Sequence, residues 1–155
     1  MPSLPSVSAI PGALNEVLSI ATAEFPANTT VWYGKELPAY SAPLTFQVTE
    51  ITGDQNWAEL GPLYRREETF ALVCSLTRYD GGAVTPDTFP AQLDEVMSAF
   101  VTFAKAIANN PDLSGNVRVA EVGNFQIMSD VDANGFGYST LDFSIRCQQR
   151  VNSLS

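Results

Sequence analysis

The residues best suited to binding an ion lie close together in the sequence SDVDANGFGYSTLD. They are Asp130, Asp132, Asn134 and Gly135. Their types and spacing match the first half of a calcium loop, D-x-[DN]-x-[DN]-G, in which oxygen-bearing side chains ligate the cation. A complete loop of this kind also needs a glutamate at its twelfth position and a helix on each side. The twelfth residue here is Leu141, within an apolar alternation typical of a strand.

The same segment also matches a β-hairpin. Asn134 and Gly135 both tolerate a positive φ, which the tight turns of hairpins require. Asp130 and Asp132 are suited to accepting hydrogen bonds from turn amides. We therefore predict a hairpin tip and no metal ligands, with a calcium-binding module as the alternative hypothesis.

Histidine, the commonest catalytic base, is absent from the sequence. Its absence excludes the histidine-dependent nucleophilic triads, the H-E-x-x-H metalloproteases and nearly every catalytic zinc arrangement. The carboxylate pairs Glu67-Glu68 and Asp94-Glu95 are sequence neighbours, which do not face each other on a strand or a helix. We expect these carboxylates on the surface, and we expect no enzymatic activity and no cofactor.

The chain of 155 residues carries 17 acidic and 8 basic side chains, for a net charge of −9. Phosphate binding needs a basic surface, so this balance argues against attraction to nucleic acid and suits a surface along which DNA slides. No long apolar run or basic leader is present, so neither a membrane span nor a secretion signal is expected. Cys74 and Cys147 are predicted to be buried thiols rather than a disulfide.

Two helices are predicted from apolar residues spaced three and four apart. The first covers 10–25, with Pro11 in its first turn and Pro26 after its end. The second begins among threonines and prolines at 85–90, where Thr85 and Thr88 are candidate caps, and it stops before Asn-Asn-Pro. Its apolar stripe is Leu93, Val96, Met97, Phe100, Phe103, Ala104 and Ile107.

The other regular segments alternate apolar and polar residues, as half-buried strands do. They are 30–33, 44–48, 67–80, a strand or bent pair within 117–131, and 141–147. Polar and glycine residues predict breaks at 53–56 and 80–82. The order predicts an α+β fold, an antiparallel or mixed β-sheet with two helices on one face. We expect one domain at 10–151, a flexible lead-in at 1–9 and a tail at 152–155.

A run of mixed charge precedes the longest strand. Arg65 and Arg66 stand directly before Glu67 and Glu68. Such a run forms ion pairs that fix the register between neighbouring chains, or it is simply a solvated strand end. Trp57 is either a core residue or an interface anchor, because tryptophan is enriched at binding hot spots. Trp32 is assigned to the core, which aromatic residues in such loop-flanked segments often cover.

The layout of the chain resembles one protein family over most of its length. A charged entry leads into a long strand, YRREETFALVCSLTRYDGG, followed by the single long helix LDEVMSAFVTFAKAIANNP. VRVAEVG and a terminal alternating strand, LDFSIRCQQRV, come next, and VWYG follows the first helix. This combination resembles the tail terminator proteins of long-tailed (siphovirus-type) actinobacterial phages.

The resemblance implies a structural protein of the virion, assembled in the host cytoplasm and located at the head–tail junction. Terminators form a hexameric ring on the head-proximal end of the tail tube and stop its polymerisation. The implied partners are other copies of the chain, the major tail tube protein and a head-completion (stopper) protein, while DNA passes through the lumen without specific binding. The family transfers no catalytic residue. Candidate contact surfaces are the sheet edge, the loops at 50–66 and 80–90, and the Asn134-Gly135 tip.

Two further hypotheses remain besides calcium binding. One is another head–tail connector or minor tail ring protein with similar architecture. The other, from a different class, is a small-molecule-binding or enzymatic α+β domain, which requires a pocket with convergent polar groups.

Overall fold

The computed structural model describes residues 8–35, 43–57 and 65–152, which contain two helices and five strands. In chain order they are α1 (Ile10–Glu24), β1 (Thr30–Tyr33), β2 (Leu44–Trp57), β3 (Arg65–Ala83), α2 (Thr88–Ala108), β4 (Val119–Val131) and β5 (Phe136–Asn152).

Both predicted helices are present. Helix α1 has its proline in the first turn and ends where Phe25 turns extended ahead of Pro26, because a residue before proline avoids helical geometry. Helix α2 buries one stripe and ends at the predicted Asn-Asn-Pro sequence. Its N-cap is Asp87, without a side-chain capping bond, whereas the Thr88 hydroxyl accepts the Thr85 N–H just before the helix. Neither described helix is long and apolar enough to cross a membrane.

The strands form one mixed sheet in the order β1-β2-β3-β5-β4. Strand β1 runs parallel to β2, and every other described pair is antiparallel. Alternate residues of the central strands are buried under the helices, as Leu72 on β3 and its partner Ile145 on β5 show. The predicted α+β fold, with a mixed sheet and two helices on one face, is confirmed.

Aromatic rings join the helices to the sheet. The Phe103 ring of α2 lies 5.3 Å from Phe25, 5.2 Å from Phe46 and 5.9 Å from Phe143, measured between centroids. The first pair is stacked, the second tilted and the third edge-on, and such aromatic pairs add about 0.5–1.5 kcal/mol each beyond the burial of their area. Cys74 and Cys147 are both buried and free, as predicted. Burial raises the pKa of the Cys147 thiol to about 12, so it is protonated and unreactive near neutral pH.

Two predicted strand breaks are wrong. Strand β2 does not break at 53–56 but continues to Trp57, because β3 supplies a partner for each of these residues. Gly53 is suited to its place, since an added Cβ would lie 3.0 Å from the Cβ of Phe70 opposite. Strand β3 passes 80–82 and ends at Ala83 after a register shift. The supposed loop at 50–66 is therefore strand in all its described residues, whereas 80–90 contains the end of β3, a short connection and the start of α2.

Candidate functional site

Within the described ranges the sheet ends at β4, a long edge strand whose protection is limited to a bulge between Val122 and Phe125 and the acidic residues Glu121 and Asp130. Edge strands of soluble proteins commonly carry lysine or proline, which discourage pairing with another chain. Strand β4 has neither, and three of its large apolar residues are exposed. Phe125 is 51% and Met128 52% exposed, and Val131 is similarly open. This edge is therefore suited to receiving a strand from another chain.

One flank of α2 extends this apolar surface. Leu93 and Val101 are exposed, and they lie on the same side of the helix as Ala104. Ala104 lines a shallow cleft together with Val122 of β4, which places this flank beside the edge strand. We refer to the exposed apolar residues of both elements as the β4 surface. They are Leu93, Val101, Phe125, Met128 and Val131.

The opposite edge of the described sheet carries the other exposed aromatic residues. Within the described ranges, β1 pairs with β2 alone. Trp32 is 37% and Tyr33 50% exposed, so the assignment of Trp32 to the core is wrong. The exposed Lys35 follows directly, and its carbonyl and that of Gly34 accept hydrogen bonds from the Gln47 amide. We refer to Trp32, Tyr33 and Lys35 as the β1 surface.

The predicted hairpin is confirmed, with its tip between β4 and β5. Gly135 has φ +80°, a conformation that favours glycine. The Asp132 Oδ1 accepts the N–H groups of Asn134 and Phe136, both at 2.9 Å, and Asp130 Oδ1 accepts that of Val131 at 2.8 Å. Both aspartates therefore act as turn acceptors, as predicted.

The second oxygen of Asp132 is also engaged. Its Oδ2 accepts the Tyr79 hydroxyl at 2.7 Å, which ties the hairpin to β3. This bond, together with the bonds from the Phe136 and Asn134 amides, holds the pKa of the Asp132 carboxyl below its usual range. Within the described ranges, no three histidine, cysteine or acidic side chains are grouped closely enough to hold a metal. The flanking elements are strands, and Leu141 is fully buried on β5.

A buried glutamine, which the sequence did not single out, joins α2 to the base of the hairpin. The Gln92 Nε2 donates to the Gly137 carbonyl at 2.9 Å and to Asp80 at 3.2 Å. Its Oε1 accepts the Ser139 hydroxyl at 2.9 Å. A buried amide with these partners fixes one orientation of hairpin and helix. The only sequence indication was a polar residue one turn ahead of Val96 on the buried stripe.

The predicted charged contact residues lie at the start of β3, a central strand rather than an edge. Arg65 and Arg66 pair through their backbones with Asn152 and Val151, and Trp57 pairs with Arg66. The side chains of these three predicted residues lie outside the described part. The Glu67 carboxylate accepts a hydrogen bond from the Gln148 amide.

Glu68 differs from its expected surface position, because its side chain is only 1% exposed. Its Oε1 accepts the Ala9 N–H at 2.8 Å and the Ser8 hydroxyl at 3.0 Å. Ser8 and Ala9, which the prediction assigned to the flexible lead-in, are therefore bonded to β3. The rest of that lead-in, 1–7, lies outside the described residues.

An open cleft of about 700 Å³ lies between the end of α1 and the side of α2. Its cation, Arg78, is already paired with Glu95 at 2.5 Å and with Asp80 at 3.1 Å. The rest of the lining is chiefly apolar, with Glu24 and Asp94 as further acidic groups.

Compared with models of known protein families and with curated proteins, the sequence matches none of them.

Proposed function

We propose that this chain is a structural ring subunit of a phage virion, a tail terminator that caps the head-proximal end of the tail tube. In this role it stops tube polymerisation and offers the head-completion protein a surface for attachment. The layout of the sequence supports the proposal, and so does the distribution of exposed apolar residues over the fold.

The observation that carries the proposal is that these residues gather at two opposite edges of the sheet. Of the eight large apolar side chains exposed in the described part, five form the β4 surface. A sixth, Val84, lies next to them, because it packs against Gly137, which pairs with Val131. The other two, Trp32 and Tyr33, are at β1. A closed ring requires two different complementary surfaces on each subunit, and two separate apolar edges support the proposal of such a ring.

The charge of the chain supports the same role. A net charge of −9 disfavours tight contact with DNA phosphates, whereas DNA must move through a terminator ring. Specific nucleic-acid binding would call for a basic surface instead.

The proposal is tested first on the purified protein. We expect light scattering to show a concentration-dependent ring several times the 16.7 kDa mass of one chain, and negative-stain images to show its rotational symmetry. The second test deletes the gene from the virus that encodes it. We expect tails of uncontrolled length that fail to join heads, with rescue by the wild-type chain. Tails of normal length that join heads without the protein would contradict the proposal.

Another head–tail connector would present the same two edges, so only its place in the particle separates it from a terminator. Gold labelling of a tagged chain is expected at the tube end of the junction for a terminator. Labelling that stays on isolated heads would favour a head-side connector.

A further inference from the structure

We propose that β4 of one copy pairs in antiparallel fashion with β1 of the next copy, so that the sheet continues across the subunit boundary. The partner of the β4 surface is thus the β1 surface of a second copy. This inference rests on the self-assembly part of the proposed function and adds the strands that meet.

Strand direction supports this pairing. Strand β1 is parallel to β2, while the three antiparallel steps from β2 through β3 and β5 leave β4 running opposite to β2. The two edges of one subunit therefore run in opposite directions. When the symmetry axis of the ring is parallel to the strands, rotation about that axis leaves the direction of every strand unchanged. The β1 strand of the neighbouring copy therefore lies antiparallel to β4. Antiparallel pairs are the more stable ladder.

The side chains also match face by face. On β4, Phe125 and Val131 lie on the helix-covered face and Met128 on the other face. On β1, Tyr33 pairs with the buried Val48 and lies on the helix-covered face, whereas Trp32 pairs with Gln47 and lies on the other. In a continuous sheet that places Trp32 opposite Met128, Tyr33 lies opposite Ile127 and diagonally beside Phe125. Ring pairs and sulfur–aromatic contacts are both favourable.

Charge separates this arrangement from a two-fold pairing of β4 with itself. The only charged residues of β4 are Glu121 and Asp130, both acidic and both exposed. A centred antiparallel β4–β4 pair would place Glu121 of one copy opposite Asp130 of the other, and like charges directly opposite are unfavourable. Pairing with β1 instead brings the exposed Lys35 toward the Glu121 half of the strand. It also covers Trp32 and Tyr33, which a β4–β4 dimer would leave in water.

The pairing is tested by disulfide trapping of the full chain. Trp32→Cys and Met128→Cys are combined in one chain, since both positions are exposed and on the same face. Directly paired strands bring Cα atoms to about 4.5–5.5 Å, which a disulfide spans. We expect mild oxidation to give a ladder of cross-linked species ending at the closed ring.

The matched control combines Trp32→Cys with Val131→Cys in one chain. Val131 is exposed on the same edge as Met128 but on the opposite face of the sheet, so we expect this variant to remain monomeric on a denaturing gel. Cys74 and Cys147 are buried and leave the background low.

The other outcomes overturn the inference in distinguishable ways. Dimers of a single Gln126→Cys variant, whose position faces itself in the centred β4–β4 pair, would show a two-fold β4–β4 contact instead. Rings seen by light scattering without cross-links would reject the strand pairing and leave the proposed function standing. A third outcome combines two results: tail length is no longer controlled when the gene is deleted, but the purified protein does not self-associate at high concentration. This outcome would support a terminator and reject the contact between β4 and β1.

A charge reversal provides a second measurement that needs no cysteine. Lys35→Glu is expected to weaken association about two- to five-fold, the size typical of an exposed ion pair. Adding Glu121→Lys to the same chain is expected to restore it. Unchanged association of Lys35→Glu, or a further loss in the double variant, would contradict the proposed alignment.

Discussion

The Glu68 carboxylate accepts the N–H of Ala9, the residue at the N-cap of α1, and the hydroxyl of Ser8. The Ser8 hydroxyl in turn accepts the Ile10 N–H at 3.1 Å. A negative charge at a helix N-terminus is favoured by the helix dipole and satisfies amides that have no partner within the helix. One residue of β3 thus anchors the start of the domain.

We predict that Glu68→Gln lowers the free energy of unfolding by about 1–2 kcal/mol, because the amide keeps the shape but loses the charge-assisted bonds. Urea denaturation measures the change. Glu50→Gln is the matched control, since Glu50 is exposed on β2, and we expect a change within about 0.5 kcal/mol. Equal effects of the two substitutions would show that Glu68 does not anchor the helix.

The Asp132 carboxyl gives a prediction about pH. Its pKa is lowered in the folded protein, chiefly by the Tyr79 hydroxyl. A lowered pKa contributes stability above the unfolded pKa of about 3.9, and this stability is lost as the pH falls through the folded pKa. NMR titration should place the Asp132 carboxyl below that value, and Tyr79→Phe should move it upward. Tyr138→Phe, on the neighbouring strand, is the control and should leave it in place. An Asp132 titration unchanged by Tyr79→Phe would contradict the assigned cause.

At the scale of elements, the hairpin between β4 and β5 depends on the backbone of Gly135. An added Cβ there meets no atom within 4 Å, so the only cost of alanine is its positive φ. We predict that Gly135→Ala destabilises the protein by about 1–2 kcal/mol, measured by thermal unfolding. Gly82 is the matched control because its added Cβ is equally free and its φ is not in the left-handed region. A loss in Gly82→Ala as large as in Gly135→Ala would contradict this reason.

Elements with local signals were predictable from the sequence, and elements determined by distant partners were not. The ends of α2 and the hairpin tip follow from prolines, Asn-Gly and apolar spacing, all within a few residues. The continuation of β2 through Gly53 depends on β3, and the burial of Glu68 depends on Ala9, 59 residues away. The sheet edge was a candidate surface from the sequence. Its residues were not identified, because the sequence does not show that Trp32 lies on an edge strand.

At the scale of the whole molecule, a head-to-tail ring and a two-fold dimer make different demands on the two edges. In a ring, each contact joins the β4 surface of one copy to the β1 surface of another, so damage to one surface leaves the other able to bind. In a two-fold dimer the same surface of both copies forms the contact, so a chain damaged in that surface has no other surface with which to bind. A mixture of one variant damaged in the β4 surface and one damaged in the β1 surface therefore distinguishes the two symmetries.

We predict that Met128→Asp and Tyr33→Asp are each defective in ring formation, because each places a charge in one apolar surface. Both residues are about half exposed, so circular dichroism should show unchanged folding. An equimolar mixture should form a one-to-one complex of about twice 16.7 kDa and no larger species, joined by the intact β4 surface of Tyr33→Asp and the intact β1 surface of Met128→Asp. Light scattering on the mixture and on each variant alone measures this. A mixture as monomeric as its components would contradict the head-to-tail contact, whereas full rings from either variant alone would show that its edge takes no part in assembly.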